Sequence, residues 1–277
     1  MEDYDTLVLP GGGIKGFYIL GAVQALLDSG KIQNIQTYVG TSIGAIIGYL
    51  LAIGYTPVEI LVSLHTHKWL DKIQYFDLVT MMDGRGATSF LHIHDALEKL
   101  SIEKIGKLVT LGKLREEYGK TLVCVAYNMT QCKTEYIGPD NYPDLPCIIA
   151  LRMSANVPLV FDRFRYMDNF YIDGGMTDNF PIQKGDEIGQ KVIGINLRLP
   201  EQSLKDIPEQ GILSYFLKIL MIPGIYYTKQ KIDNVSDKCT IYDVVTDDAT
   251  NPLDFAVKSK NRLEMFSKGY NSVREKS

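Results

Sequence analysis

The first fifty residues switch twice between a short apolar run and a longer run with helical spacing. Thr6–Leu9 predicts a buried strand, and a glycine-rich turn follows at Gly11–Gly16. Over Phe17–Leu27 the residues Leu20, Val23 and Leu27 fall on one helical face, and Ser29-Gly30 ends the run. Ile35–Val39 predicts the next strand and Ala45–Ala52 the next helix. A β-α-β-α order of this kind predicts an α/β fold, with a mostly parallel sheet covered by helices on both faces.

Further along, Pro57–Leu64 reads as a helix with proline at its start, His92–Leu100 as another, and Met81–Thr88 as a loop. Thr121–Tyr127 and Lys133–Ile137 alternate like paired strands. A turn-rich stretch, Asp140–Pro146, leads into a helix over Cys147–Met153. Phe164–Ile172, Lys191–Leu197 and Thr240–Val245 read as strands, and Asp254–Val273 as an amphipathic closing helix. No repeat or linker divides the chain. The reading is one domain over 1–277, with a motif-bearing core at about 6–197 and the stretch 198–277 packed on it.

The longest apolar stretch, Ile212–Tyr227, contains Lys218 and a Pro223-Gly224 break, so it falls short of a bilayer span. It predicts a core helix followed by a turn; an apolar surface lying against lipid is the other reading.

Composition narrows the partners. Hydrophobic residues make up 45% of the chain and charged residues 22%, as in ordinary globular proteins. A net charge of -4 without a basic tract excludes nucleic acid as the main partner. Cys124, Cys132, Cys147 and Cys239 show no metal or redox spacing, which predicts free thiols in a reducing compartment. The acidic start, Met1-Glu2-Asp3, is unlike a secretory signal. The expected location is cytoplasmic, at most peripheral to membranes.

Three local patterns carry chemistry. Gly40-Thr41-Ser42-Ile43-Gly44 lies between a strand and a helix, where Gly-x-Ser-x-Gly makes a sharp turn that exposes a nucleophilic hydroxyl. Gly11-Gly12-Gly13-Ile14-Lys15-Gly16 fits the spacing of a dinucleotide loop. The second strand, however, lacks the ribose-binding carboxylate, and no Gly-Lys-Ser/Thr follows for a phosphate loop. The better reading is an oxyanion hole made of backbone N–H groups at Gly11, Gly12 and Gly13. The base is not an obvious histidine. His65, His67, His92 and His94 all precede residue 95, whereas the α/β-hydrolase order ends in histidine. These four read as exposed or capping residues. Asp173, at a strand end before Gly174 and Gly175, becomes the leading base for Ser42.

Taken in order, these motifs resemble the patatin-like phospholipase family. Met153-Ser154-Ala155-Asn156-Val157-Pro158 resembles the family's Ala-Ser-x-Ala-x-Pro segment, and Asn179 and Pro181 fit its Asn-x-Pro. The likeness covers roughly Thr6 to Leu197. Pro10, where many members carry an acidic residue, and Met153, in place of alanine, depart from the pattern. The resemblance implies a three-layer α/β/α sandwich and a serine esterase or phospholipase working through a Ser42–Asp173 dyad. It also implies a phospholipid or other lipid ester as substrate, with no metal or other cofactor. Gly16, Gly40, Gly44, Gly174 and Gly175 would support the motifs. A non-catalytic lipid-binding or scaffold protein, or an acyltransferase, are the alternatives on the same fold.

Overall fold

The computed structural model describes residues 3–66, 86–198, 212–247 and 257–275. Strand β1 (Thr6–Leu9) leads through a 3-10 turn at Gly13–Lys15 into α1 (Gly16–Asp28). Strand β2 (Thr37–Thr41), α2 (Ile43–Ala52) and α3 (Pro57–Thr66) follow. Next come α4 (Leu91–Ile105), α5 (Leu111–Tyr118), β3 (Thr121–Asn128), β4 (Lys133–Ile137) and α6 (Cys147–Ser154). Strands β5 (Phe164–Tyr166) and β6 (Asn169–Asp173) precede α7 (Ile182–Ile188) and β7 (Val192–Arg198). The chain closes with α8 (Ile212–Ile232), β8 (Cys239–Val245) and α9 (Ser259–Arg274).

Every residue of β1 is buried, as expected for a strand covered on both faces. Leu7 and Leu9 join the larger core with α1, α2, α4 and α6, while Val8 joins Val39, Val123, Phe180 and Ile182 on the other face. The period-two alternation therefore feeds two cores, one on each side of the sheet. Strand order is β5-β6-β3-β2-β1-β7-β8, with β4 also paired to β3. The β1–β2, β1–β7, β2–β3 and β7–β8 pairs are parallel; β3–β4, β3–β6 and β5–β6 are antiparallel.

One feature of the pairing positions the site. Strand β4 occupies one edge of β3 opposite Cys124–Asn128. The other edge is shared: β2 runs parallel to β3 as far as Thr41 opposite Val125, and β6 runs antiparallel from Tyr171 opposite Asn128 to Asp173 opposite Ala126. The carboxyl ends of β2 and β6 thus meet head to head along a single edge.

Several elements differ from the sequence expectation. The expected strand Phe164–Ile172 is a hairpin turning at Met167, whose φ of 50° takes it into the left-handed region. The helix expected over His92–Leu100 runs to Ile105 and stops at left-handed Gly106. Helix α5 has no counterpart in the sequence expectation, although Thr110 caps it through Lys113 N and left-handed Gly119 ends it. The break expected at Pro223-Gly224 does not occur, because α8 continues through the proline. Most of the loop expected at Met81–Thr88 lies outside the described residues, as does His67; Thr88 bridges to Phe161. All four cysteines are unpaired, with Cys124 and Cys147 buried. Among the described residues no single helix is long and apolar enough to cross a membrane.

The C-terminal helix is locked to α1 by two close backbone approaches. A Cβ placed on Gly21 would lie 1.9 Å from Phe266 O, and one on Gly269 would lie 2.1 Å from Tyr18 O. Any larger side chain at either position must push the helices apart. Gly269→Val should therefore lower stability by about 3 kcal/mol, measurable as a loss of urea midpoint at unchanged slope.

Candidate active site

Ser42 follows β2 immediately and caps α2, with φ 54° and ψ -122°. A non-glycine residue at positive φ stores on the order of 1–3 kcal/mol, which surrounding contacts must hold in place. The holding contact is specific: Ser42 N donates to Ser154 Oγ at 2.9 Å, deep in the core. The Ser42 hydroxyl makes no capping bond, so it is free for other work.

Asp173 ends β6 and is 3% exposed. Its Oδ1 accepts from Gly175 N at 2.7 Å, and Oδ2 has no aligned hydrogen-bond partner among the described residues. Burial raises the carboxyl to about 6, against the opposing pull of the Ser42 hydroxyl and the Gly175 N–H. The Ser42 hydroxyl thus partly offsets the rise caused by burial, while Oδ2 itself takes no aligned hydrogen bond. Gly174 sits in the gap between the strand ends; a Cβ there would lie 2.3 Å from Val125 O.

The glycine turn approaches from β1. A Cβ on Gly11 would lie 3.4 Å from Ser42 Cβ, which puts this loop beside the serine. Here the sequence expectation needs a correction. The Gly11 N–H donates to Asn179 O at 2.9 Å, so it is not available to a substrate oxygen. The N–H groups of Gly12 and Gly13 donate to no acceptor among the described residues. Lys15 is 5% exposed and donates from Nζ to Thr246 Oγ1 at 3.1 Å, tying the turn to the end of β8.

Three residues from the segments that resemble the family's motifs organise this centre through long-range bonds. Ser154 holds the Ser42 elbow. Two positions later, Asn156 accepts from Asp173 N through its carbonyl at 3.0 Å and donates from Nδ2 to Tyr171 O at 3.2 Å. One short segment therefore grips both strand ends. Asn179 clamps Gly11 from the third side, donating from Nδ2 to Gly11 O at 3.3 Å. Just before it, Asp178 O accepts from Thr41 Oγ1 at 2.8 Å, and its carboxylate takes the Tyr136 hydroxyl at 2.6 Å. Lys231 Nζ lies 2.8 Å from Asp178 Oδ1, an ion pair rather than an aligned hydrogen bond.

Of the four histidines, His92 and His94 have described side chains, and neither bonds to Ser42 or Asp173. His92 is exposed on α4, and His94 lies 3.3 Å from Glu98 one turn on.

A family profile described as patatin-like phospholipase matches residues 7–184, more than half of the chain and all three motifs. The chain belongs to the patatin-like phospholipase family. Among curated relatives, the "Probable lipid hydrolase 463L" of Invertebrate iridescent virus 6 is 40% identical over 185 residues, covering 65% of this chain and 62% of its own length. The uncharacterized protein YqhO of Bacillus subtilis is 30% identical over 234 residues, covering 76% of this chain and 75% of its own. In fold, the crystal structure of VipD from Legionella pneumophila superimposes with a TM-score of 0.60 at 18% identity, over 98% of this chain and 66% of that one. The chain thus spans somewhat under two thirds of the viral relative and of VipD. A patatin-like fold is what this superposition shows, with the mixed, mostly parallel sheet flanked by helices.

Removing the Ser154 hydroxyl leaves the buried Ser42 N–H without an acceptor. Ser154→Ala should lower stability by about 1–3 kcal/mol in urea unfolding, well beyond the effect of a surface Ser→Ala change.

Proposed function

We propose that this protein hydrolyses carboxylic esters of lipids through a Ser42 acyl-enzyme. The observation that carries the reading is the buried Asp173 carboxylate, one oxygen unpaired, set at the junction where β2 delivers Ser42. In the first step Ser42 Oγ bonds to the ester carbonyl carbon while Asp173 takes its proton. The carbonyl oxygen becomes an oxyanion, held by the N–H groups of Gly12 and Gly13. The carbon–oxygen bond to the alcohol or lysolipid then breaks, and the departing oxygen recovers the proton from Asp173. Water attacks the acyl-enzyme with Asp173 again as base, releasing the fatty acid and restoring Ser42. Support comes from family membership and from the viral relative described as a probable lipid hydrolase. An acceptor alcohol in place of water would give acyl transfer through the same intermediate.

An aspartate at its ordinary acidity is a weak base for serine. The rise to about 6 strengthens it while leaving it mostly ionised at neutral pH. The fluorophosphonate probe for activated serines should label wild type, and Ser42→Ala should abolish labelling. Asp173→Asn should reduce it by about a thousandfold, by analogy with serine triads. A folded wild type that takes no label, or an Asp173→Asn variant with full turnover, overturns the reading.

Titration gives a second expectation. The base works only when ionised, so kcat/KM on a soluble ester should climb through about pH 6 and level off above it. Stability runs the opposite way. Asp173 holds its proton more tightly folded than unfolded, so its contribution is fullest below about pH 4 and is lost as pH rises through 6. Asp173→Asn, which removes the buried charge, should therefore raise the melting temperature at pH 8 more than at pH 4.

A further inference from the structure

Helix α8 carries exposed apolar residues on the side that faces away from the protein, with exposed Lys229 at the end of that side. Its inner side meets the rest of the protein at Gly224 and at Lys231. A Cβ on Gly224 would lie 2.6 Å from Gly175 O, so the helix backbone rests on the Asp173-Gly174-Gly175 turn itself. Thr228 folds back to donate to Gly224 O at 2.7 Å, and Lys231 pairs with Asp178. At about 100° per residue, Gly224, Thr228 and Lys231 share one face of the helix, and Ile219, Ile222 and Tyr226 share the opposite one. On that outer face Ile219 is 43% exposed, Ile222 59% and Tyr226 62%, with Tyr227 beside them at 50%.

A surface helix in a globular protein turns its apolar stripe inward and a polar face outward; here Ile232 packs inward against the core, yet the outward side carries exposed apolar residues as well. That outward side matches a helix that lies in a membrane interface with aliphatic and aromatic residues toward the acyl chains. The tyrosines suit the headgroup boundary, where an apolar ring and a polar hydroxyl are both satisfied. Gln230 Nε2 donates to the Tyr226 hydroxyl at 2.9 Å, which fixes that ring on the outer face. Charge selects among surfaces. The chain carries a net -4, so attraction to anionic lipid is not the driving force, and a zwitterionic surface fits better.

We infer that the outer face of α8, formed by Ile219, Ile222 and Tyr226, docks the protein on a zwitterionic lipid surface. The inference rests on the ester hydrolase reading, since the inner face of the same helix bears on the Asp173 turn. Docking through α8 would hold that turn one helix diameter, about 10 Å, from the lipid. A lipid ester could then pass from the membrane to Ser42 without crossing bulk water.

The test is flotation of the full chain with large unilamellar phosphatidylcholine vesicles, alongside turnover of a short-chain, water-soluble ester. Wild type should float with the vesicles. A double variant, Ile222→Asp with Tyr226→Asp, should lose at least tenfold in vesicle partition while keeping its thermal melt and soluble-ester turnover. Ile222→Trp should raise the bound fraction severalfold at an unchanged thermal melt, which separates the gain from misfolding. A wild type that stays at the bottom of the gradient overturns the inference, as does a folded double variant that floats like wild type. Sedimentation showing a dimer that the double variant dissociates, without vesicle binding, overturns it too and assigns the face to a second copy. Flotation that follows the expected pattern with no ester turnover in wild type keeps the docking face and removes the hydrolase reading instead.

Discussion

The structure depends on the way two strands share one edge of β3. A parallel neighbour and an antiparallel neighbour cannot both extend along the same edge, so β2 and β6 must stop where they meet. Both stop with their carboxyl ends facing the gap, at Thr41 opposite Val125 and Asp173 opposite Ala126. Ligand sites in open α/β sheets lie beyond the carboxyl ends of strands, where neighbouring connections diverge. Here the divergence occurs within one edge, and it brings a serine and a carboxylate together from residues 131 positions apart in the chain.

Holding that junction has a stability cost that the rest of the molecule offsets. Ser42 is strained, and Asp173 is a buried carboxylate with an unpaired oxygen. Each is retained by bonds from elsewhere: Ser154 on the elbow, Asn156 on β6, and the Asp178-Asn179 carbonyls on Thr41 and Gly11. These clamps leave the Ser42 hydroxyl without a capping bond and one Asp173 oxygen without an aligned partner. Local strain maintained by a rigid surround is the expected signature of a working site. The same clamps explain why Gly11 serves as a close-packing position while the free N–H groups fall to Gly12 and Gly13.

The C-terminal third is coupled to this centre at two points. Thr246, after β8, takes the Lys15 ammonium from the glycine turn, and α8 rests through Gly224 on the turn after Asp173. Helix α9 in turn locks α1, the helix that the glycine turn begins. A change in how α8 or α9 sits would therefore reach both the glycine turn and the Asp173 turn. Pro223 belongs in this scheme. It removes one helical N–H, and α8 nevertheless continues through it to Ile232.

What the sequence determined by itself was local in origin. Strands and helices with clean periodicity, such as β1, α1, α2 and α6, were legible because burial imposes period two or 3.6 on neighbouring residues. Ser42 and Asp173 were legible for a related reason, since a strand-end turn demands glycine and a small polar residue within a few positions. The ends of helix α5 are equally local, marked by Thr110 and Gly119. Only tertiary structure decided the rest. Whether Phe164–Ile172 is one strand or a hairpin depends on β6 finding β3, and whether Pro223 ends a helix depends on what covers it. That Ser154, Asn156 and Asn179 bind the site together is a matter of bonds spanning up to 168 residues, from Gly11 to Asn179. Such bonds leave no spacing in the sequence, because loop closure and packing, not neighbour preference, bring their partners into reach.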